Sequence, residues 1–132
     1  RRTEGDWPFA RALYLAATVV SAQHATQVTI DAGLKAVSID VPPRPVHGAA
    51  PGSLWRPAGD EHGAIVHPLA LTGERADGAV PPDSPREGEI VWLQPGHCDP
   101  TINLHDGFWV AGLGEALDFW PIDARRVSPA PR

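Results

Sequence analysis

In the stretch Pro95-Gly96-His97-Cys98-Asp99-Pro100-Thr101-Ile102-Asn103-Leu104-His105-Asp106, an imidazole and a carboxylate stand two residues apart, directly after an apolar, strand-like run. On an extended backbone residues i and i+2 share a face, so His97 and Asp99 are expected to converge while Cys98 faces away. One imidazole nitrogen and one or two carboxylate oxygens make half a metal site. They are too few to close a structural tetrahedral zinc site, and they suit an open site whose other positions belong to water and substrate. Mn²⁺, Zn²⁺, Co²⁺ and Mg²⁺ all match such donors. The competing reading is structural: Asp99 caps a turn before Pro100, and His97 hydrogen-bonds a loop carbonyl.

Three further groups invite the same double reading. Asp60-Glu61-His62-Gly63 sits where a long loop enters a strand, so Glu61 and His62 either reach into a cleft or form a solvated turn. His105-Asp106 supplies either an oriented imidazole or, through Asp106-Gly107, a hairpin turn. Lys35 is the only lysine, and it reads either as a desolvated Schiff-base former or as a surface charge. The chain holds no Gly-rich phosphate loop, no G-x-S-x-G elbow and no CxxC pair, so no self-contained active site is legible in it.

The elements that must hold these residues read as short strands. Phe9 to Gln23 is apolar and free of Pro and Gly, and its β-branched Thr18, Val19 and Val20 favour a strand over a helix. Gln27–Ile30 alternates, Asp31-Ala32-Gly33 turns the chain, and Ala36-Val37-Ser38-Ile39 reads as the adjacent strand. The Pro/Gly-rich segment from Val41 to Gly59 is expected to be an irregular surface loop, and Thr72 to Gly88 a second excursion. Gly63 to Leu71 and Glu89 to Leu93 read as strands. Gly107–Ala111 and Ala116–Trp120 read as a hairpin joined through Gly112-Leu113-Gly114, and the tail from Val127 to Arg132 as frayed. Many short strands with turn signals between them argue for an all-β fold, a small barrel-like or sandwich domain with long Pro/Gly-rich loops. The strands around Val28, Val91 and Val110 are expected to share one core. Most of the five tryptophans are expected to be buried in it rather than to stack on a sugar or base.

Composition narrows the function. The 132 residues make about one domain, with 42% hydrophobic and 20% charged residues, a globular balance. No apolar run approaches the ~20 residues of a membrane helix, and no basic segment followed by an apolar one opens the sequence, so a cytoplasmic setting is expected. The formal charge is -5 and the cations are scattered, which argues against nucleic acid as a partner. A single cysteine excludes an internal disulfide and a Cys-rich zinc site. Proline and glycine number 15 and 13, leaving little room for helices.

Several segments together resemble one family. Ala17-Thr18-Val19-Val20-Ser21, Asp31-Ala32-Gly33-Leu34-Lys35-Ala36, Asp60-Glu61-His62-Gly63, Pro95 through Asp106 and Trp120-Pro121-Ile122-Asp123-Ala124-Arg125 occur in the order seen in the C-terminal half of the metal-dependent D-threonine aldolases and D-serine dehydratases. These are pyridoxal-phosphate enzymes of the alanine-racemase-like fold. The resemblance implies that residues 1–132 form a single β-domain, the C-terminal part of a two-domain enzyme whose N-terminal β/α barrel carries the cofactor and its lysine. It therefore argues against Lys35 as the Schiff-base residue. It places the metal-ligand roles on His97 and Asp99, and leaves Glu61, His62, Cys98 and Asn103 as substrate-proximal residues. His-x-Asp looks like the aldolase pattern with manganese, whereas His-x-Cys is the zinc pattern of the dehydratases; Mn²⁺ and Zn²⁺ are thus the metals expected. The implied activity is retro-aldol cleavage of D-threonine-like substrates or dehydration of D-serine, in a homodimer, with the 132-residue chain inactive alone. The alternative from another class is a non-catalytic β-domain that serves assembly or binding.

Overall fold

The computed structural model describes residues 10–73, 78–112 and 115–125. Six strands, β1 (Leu15–His24), β2 (Gln27–Ile30), β3 (Arg44–His47), β4 (Leu54–Pro57), β5 (Gly63–Val66) and β6 (Ile90–Gln94), form one antiparallel sheet in the order β3-β6-β1-β2-β5-β4. The end strands β3 and β4 touch, so the sheet nearly closes into a barrel. A separate two-stranded sheet pairs β7 (Gly107–Gly112) with β8 (Glu115–Pro121). Two short helices, α1 (Pro68–Thr72) and α2 (Cys98–Ile102), complete the described architecture with a 3₁₀ turn at Asp123–Arg125. The fold is all-β and barrel-like, as the strand-and-turn pattern predicts.

Period-2 alternation makes this core. In β6, Val91 and Leu93 are fully buried while Ile90 and Trp92 face outward. The register carries the inner face around the sheet: Leu93 opposes Leu15, Val91 opposes Ala17, Val19 opposes Ile30, Val28 opposes Ile65, and Ile65 opposes Trp55. Trp55 is buried with its indole N–H on the Ala32 carbonyl at 3.2 Å, which satisfies its one polar atom.

The structure corrects several sequence expectations. Val41 to Gly59 is not an irregular loop, because it contains β3 and β4. Pro45 and Pro57 disguise both strands, yet each occupies an end of the strand order, where a missing N–H breaks no ladder on the open side. Ala36–Ile39 is not a strand. Ala36 N–H and Val37 N–H both return to the Gly33 carbonyl (3.0 and 3.2 Å), while Leu34 and Lys35 N–H bond to the carbonyls of Gly59 and Asp60. Gly33 is required there, since a Cβ would stand 2.5 Å from the Gly59 and Asp60 carbonyl oxygens and the His62 nitrogen.

Gly63 to Leu71 is a strand only as far as Val66. His67 then caps α1, and Pro68 opens it, where a proline's missing N–H costs nothing. Val110 lies in the separate β7–β8 sheet, not in the barrel with Val28 and Val91. The tryptophan expectation also fails: among the described residues only Trp55 is buried, while Trp92, Trp109 and Trp120 are 43%, 74% and 56% exposed. Trp92 follows from strand alternation, and Trp109 and Trp120 sit on a hairpin outside the barrel. Trp7 and the tail from Val127 lie outside the described residues, as do Leu113 and Gly114 of the hairpin connection.

Neighbouring residues of β6 provide the test. Leu93→Ala should lower the unfolding free energy by ~2–5 kcal/mol, the range for emptying a core leucine site. Trp92→Ala should cost less despite its larger side chain. Urea titration checks both, and the reverse order would place the core on the other face of the sheet.

Candidate functional site

β6 ends at Gln94, and within three residues the chain delivers His97 at the rim of the barrel. His97 is extended (φ -134°, ψ 117°) and forms the N-cap of α2, so Asp99 lies in the first turn of that helix. The convergence expected of an extended His97-Cys98-Asp99 is therefore corrected: strand geometry stops at His97, because Cys98 begins a helix. The Asp99 carboxylate still lies close enough for its charge to act on the imidazole.

The structure adds a residue that no sequence spacing signals. Asp40, 57 positions earlier, accepts a hydrogen bond on Oδ2 from His97 Nδ1. Its other oxygen, Oδ1, accepts from the Ser38 hydroxyl and from the Val41 N–H at 2.9 Å. Segment 36–42 reaches His97 because it is tied along the 96–105 segment. His105 Nε2–H donates to the Ala36 carbonyl at 2.7 Å, and the Thr101 hydroxyl accepts from Ser38 N–H (3.2 Å) while donating to the His97 carbonyl (2.9 Å). Gly96 makes the approach possible, since a Cβ there would stand 2.5 Å from the Val41 carbonyl oxygen and 2.8 Å from that of Pro42.

Electrostatics follow from these contacts. The Ser38 hydroxyl and the His97 ring hold the Asp40 carboxyl at about 2, below its ordinary 3.8. The Asp40 hydrogen bond, and then the charges of Asp40 and Asp99, raise the His97 imidazole above its ordinary 6.5 against a smaller opposing effect of burial.

His97 differs from the other candidate imidazoles in what its second nitrogen does. His67 is buried with both nitrogens engaged, Nδ1 accepting from Leu69 N–H and Nε2 on Asp83 at 3.0 Å, so it is a structural cap. His105 holds a backbone carbonyl, and its neighbour Asp106 pairs with Arg125, so this pair locks loops together. Among the described residues only His97 has a carboxylate on one nitrogen and no protein partner on the other. A metal-binding histidine is ordinarily oriented in this way.

The remaining sequence candidates are spread around this point. Cys98 is an exposed free thiol at the start of α2, and Asn103 is the exposed C-cap, its N–H on the Asp99 carbonyl. Glu61 is exposed and paired with Lys35 at 2.5 Å, which raises the lysine and keeps it charged; Lys35 is a surface cation. His62 is exposed in the same loop. No hydrogen bond or ion pair links Glu61 or His62 to His97 among the described residues. Nor are three or more His, Cys, Asp or Glu side chains gathered into a metal-holding group there. His97 and Asp99 together offer one imidazole and one carboxylate, fewer donors than the four of a closed structural centre.

A small antiparallel β-domain with an oriented imidazole and a carboxylate at its rim is the class that fold and site define. Residues 12–111 match the family model described as "Putative serine dehydratase domain", and the chain belongs to that family. It is 37% identical over 126 residues to a D-threonine aldolase of Arthrobacter sp., covering 95% of this chain and 30% of that protein. With a 3-hydroxy-D-aspartate aldolase of Paracoccus denitrificans (strain Pd 1222) the identity is 33% over 127 residues, covering 95% of this chain and 28% of that protein. The crystal structure of D-threonine aldolase from Filomicrobium marinum superposes with a TM-score of 0.71 at 34% identity, over 89% of this chain and 29% of that one. The chain thus spans less than a third of the length of these relatives, and no described helix is long and apolar enough to cross a membrane.

The Asp40–His97 pair predicts a pH signature. A depressed carboxyl stabilises the fold above its unfolded pKa and loses that contribution as pH falls toward about 2; a raised imidazole stabilises below its unfolded pKa and loses it as pH rises through the folded value. The pair therefore contributes fully between the ordinary values of 3.8 and 6.5. NMR titration should place the His97 midpoint above 6.5, and Asp40→Ala should lower it. An unmoved midpoint would contradict the contact.

Proposed function

We propose that this chain is the metal-carrying C-terminal β-domain of a pyridoxal-phosphate-dependent lyase acting on D-β-hydroxy amino acids, with His97 and Asp99 as the protein ligands of a divalent ion. The observation that carries this reading is the His97 ring, held by Asp40 at Nδ1 and free at Nε2, with the Asp99 charge near enough to act on it. Names of the relatives support the substrate class, since D-threonine and 3-hydroxy-D-aspartate both carry a β-hydroxyl. They also favour retro-aldol cleavage over dehydration of D-serine.

Mn²⁺ or Zn²⁺, when bound, supplies Lewis acidity toward a substrate hydroxyl. Pyridoxal phosphate supplies the electron sink for a carbanion and belongs to an N-terminal barrel domain in the full-length protein. The work of this chain is placement. His97 offers a neutral nitrogen and Asp99 a hard anionic oxygen, and the exposed rim leaves room for substrate and water. Cys98 lies between the two ligands at the start of α2, Asn103 is the C-cap of that helix, and Glu61 and His62 stand on the loop before β5; these four are assigned as substrate-proximal groups. Catalytic turnover requires the partner domain, in a homodimeric, cytoplasmic enzyme; the chain alone turns over nothing.

One observation favours the second reading, a β-domain for assembly or binding without chemistry. Trp109 and Phe119 meet in a tilted ring contact across the β7–β8 hairpin, with centroids 5.1 Å apart and planes at 60°, and both are exposed.

Metal-dependent turnover by the full-length protein separates the two readings. D-Threonine should yield glycine and acetaldehyde with Mn²⁺. Asp99→Ala should reduce this ~100-fold or more, equivalent to ~2.7 kcal/mol, while leaving the cofactor absorbance unchanged. Undiminished turnover would refute the ligand role, and pyruvate from D-serine as the dominant product would overturn the aldolase assignment.

A further inference from the structure

We propose that Asp40 is a positioning residue for this site, one that selects the His97 tautomer and so decides whether the ring is a ligand or a donor. The inference rests on the reading of His97 as a metal ligand. A neutral imidazole carries one proton, and the nitrogen that holds it cannot bind a metal. Asp40 Oδ2 can only accept from His97 Nδ1, so the proton resides on Nδ1 and the Nε2 lone pair is left free. Nε2 has no protein partner among the described residues.

The carboxylate is built to do this in one orientation. Its Oδ1 is occupied by two donors, the Ser38 hydroxyl and the Val41 N–H at 2.9 Å, which stops the group from rotating and leaves Oδ2 for the ring. Ser38 is itself tied to α2 through Thr101, whose hydroxyl also holds the His97 carbonyl at 2.9 Å. Both partners of the hydrogen bond are thus anchored to one hydroxyl of the same short helix, and their separation is set by the fold rather than by chance contact between two exposed side chains.

This division of oxygens makes an isosteric variant unusually informative. In Asp40→Asn the amide oxygen belongs on the Oδ1 side, because two donors point there. Its NH₂ must then face His97 Nδ1 and donate to it. The ring responds by moving its proton to Nε2, which closes the metal position with almost no change of shape.

The experiment is ¹⁵N NMR of the His97 ring in the metal-free chain at pH 9, together with Mn²⁺ titration followed by EPR. The wild-type ring should show the Nδ1–H tautomer and Asp40→Asn the Nε2–H tautomer. Mn²⁺ affinity should fall ~10–100-fold, the usual effect of losing such an outer partner. Ser38→Ala, which frees the carboxylate but keeps it, should retain the wild-type tautomer as a majority with a smaller loss of affinity. An Asp40→Asn protein with wild-type tautomer and affinity would overturn the proposal, as would equal losses in both variants with no tautomer change. Were the wild type to take up no Mn²⁺, the metal reading would fail, and the tautomer spectra would still decide what Asp40 does.

Discussion

The orientation of the His97 imidazole at the rim of this barrel depends on one constraint, the lashing of segment 36–42 to segment 96–105. Neither segment pairs in a sheet. They are joined instead by side-chain links in antiparallel order: His105 to Ala36, Thr101 to Ser38, His97 to Asp40, with Gly96 pressed against Val41 and Pro42. The two neutral links, His105 to Ala36 and Thr101 to Ser38, are individually modest, about 1 kcal/mol net for a hydrogen bond of that kind. In series they define where the Asp40 carboxylate stands relative to the His97 ring. Removing any one loosens a geometry that matters at the scale of a hydrogen bond.

Both segments are hung from the stiffest parts of the molecule. β6 lies between β3 and β1, and its fully buried Val91 and Leu93 bring the chain to Pro95 with little freedom left. On the other side, the turn at Gly33 is pinned to the loop before β5 by Leu34 and Lys35, and Val37 is buried beneath it. Trp55 adds a cross-brace by holding the Ala32 carbonyl. The core thus does more than stabilise: it sets two loop origins, and short loops from fixed origins carry side chains to a repeatable meeting point. The hairpin β7–β8 is fastened separately, through Ile122 N–H to the Asp106 carbonyl and through the Arg125–Asp106 ion pair.

The barrel strands were legible because alternation survives in them: Val28 and Ile30, Val91 and Leu93 each skip a residue and point inward. β3 and β4 were illegible because Pro45 and Pro57 read as loop, and only the tertiary order reveals them as end strands where proline is harmless. Ala36-Val37-Ser38-Ile39 misled in the opposite sense, having strand composition but folding back on Gly33. At the site, the types and spacing of His97 and Asp99 singled out residues 95–106, although the geometric reason offered, an extended chain, is replaced by a helix starting at Cys98. Asp40 was invisible: a lone aspartate in a loop carries no local pattern, and its meaning comes wholly from a partner 57 residues away. Charge pairs made by topology have this character, whereas periodicity reports only on neighbours.

A direct measurement of the central claim is anomalous diffraction at the manganese edge from crystals of the chain grown with Mn²⁺. The account predicts a peak within coordination distance of both His97 Nε2 and an Asp99 carboxylate oxygen, with Asp40 still on Nδ1. A peak at another group of side chains, or none at saturating Mn²⁺, would contradict it.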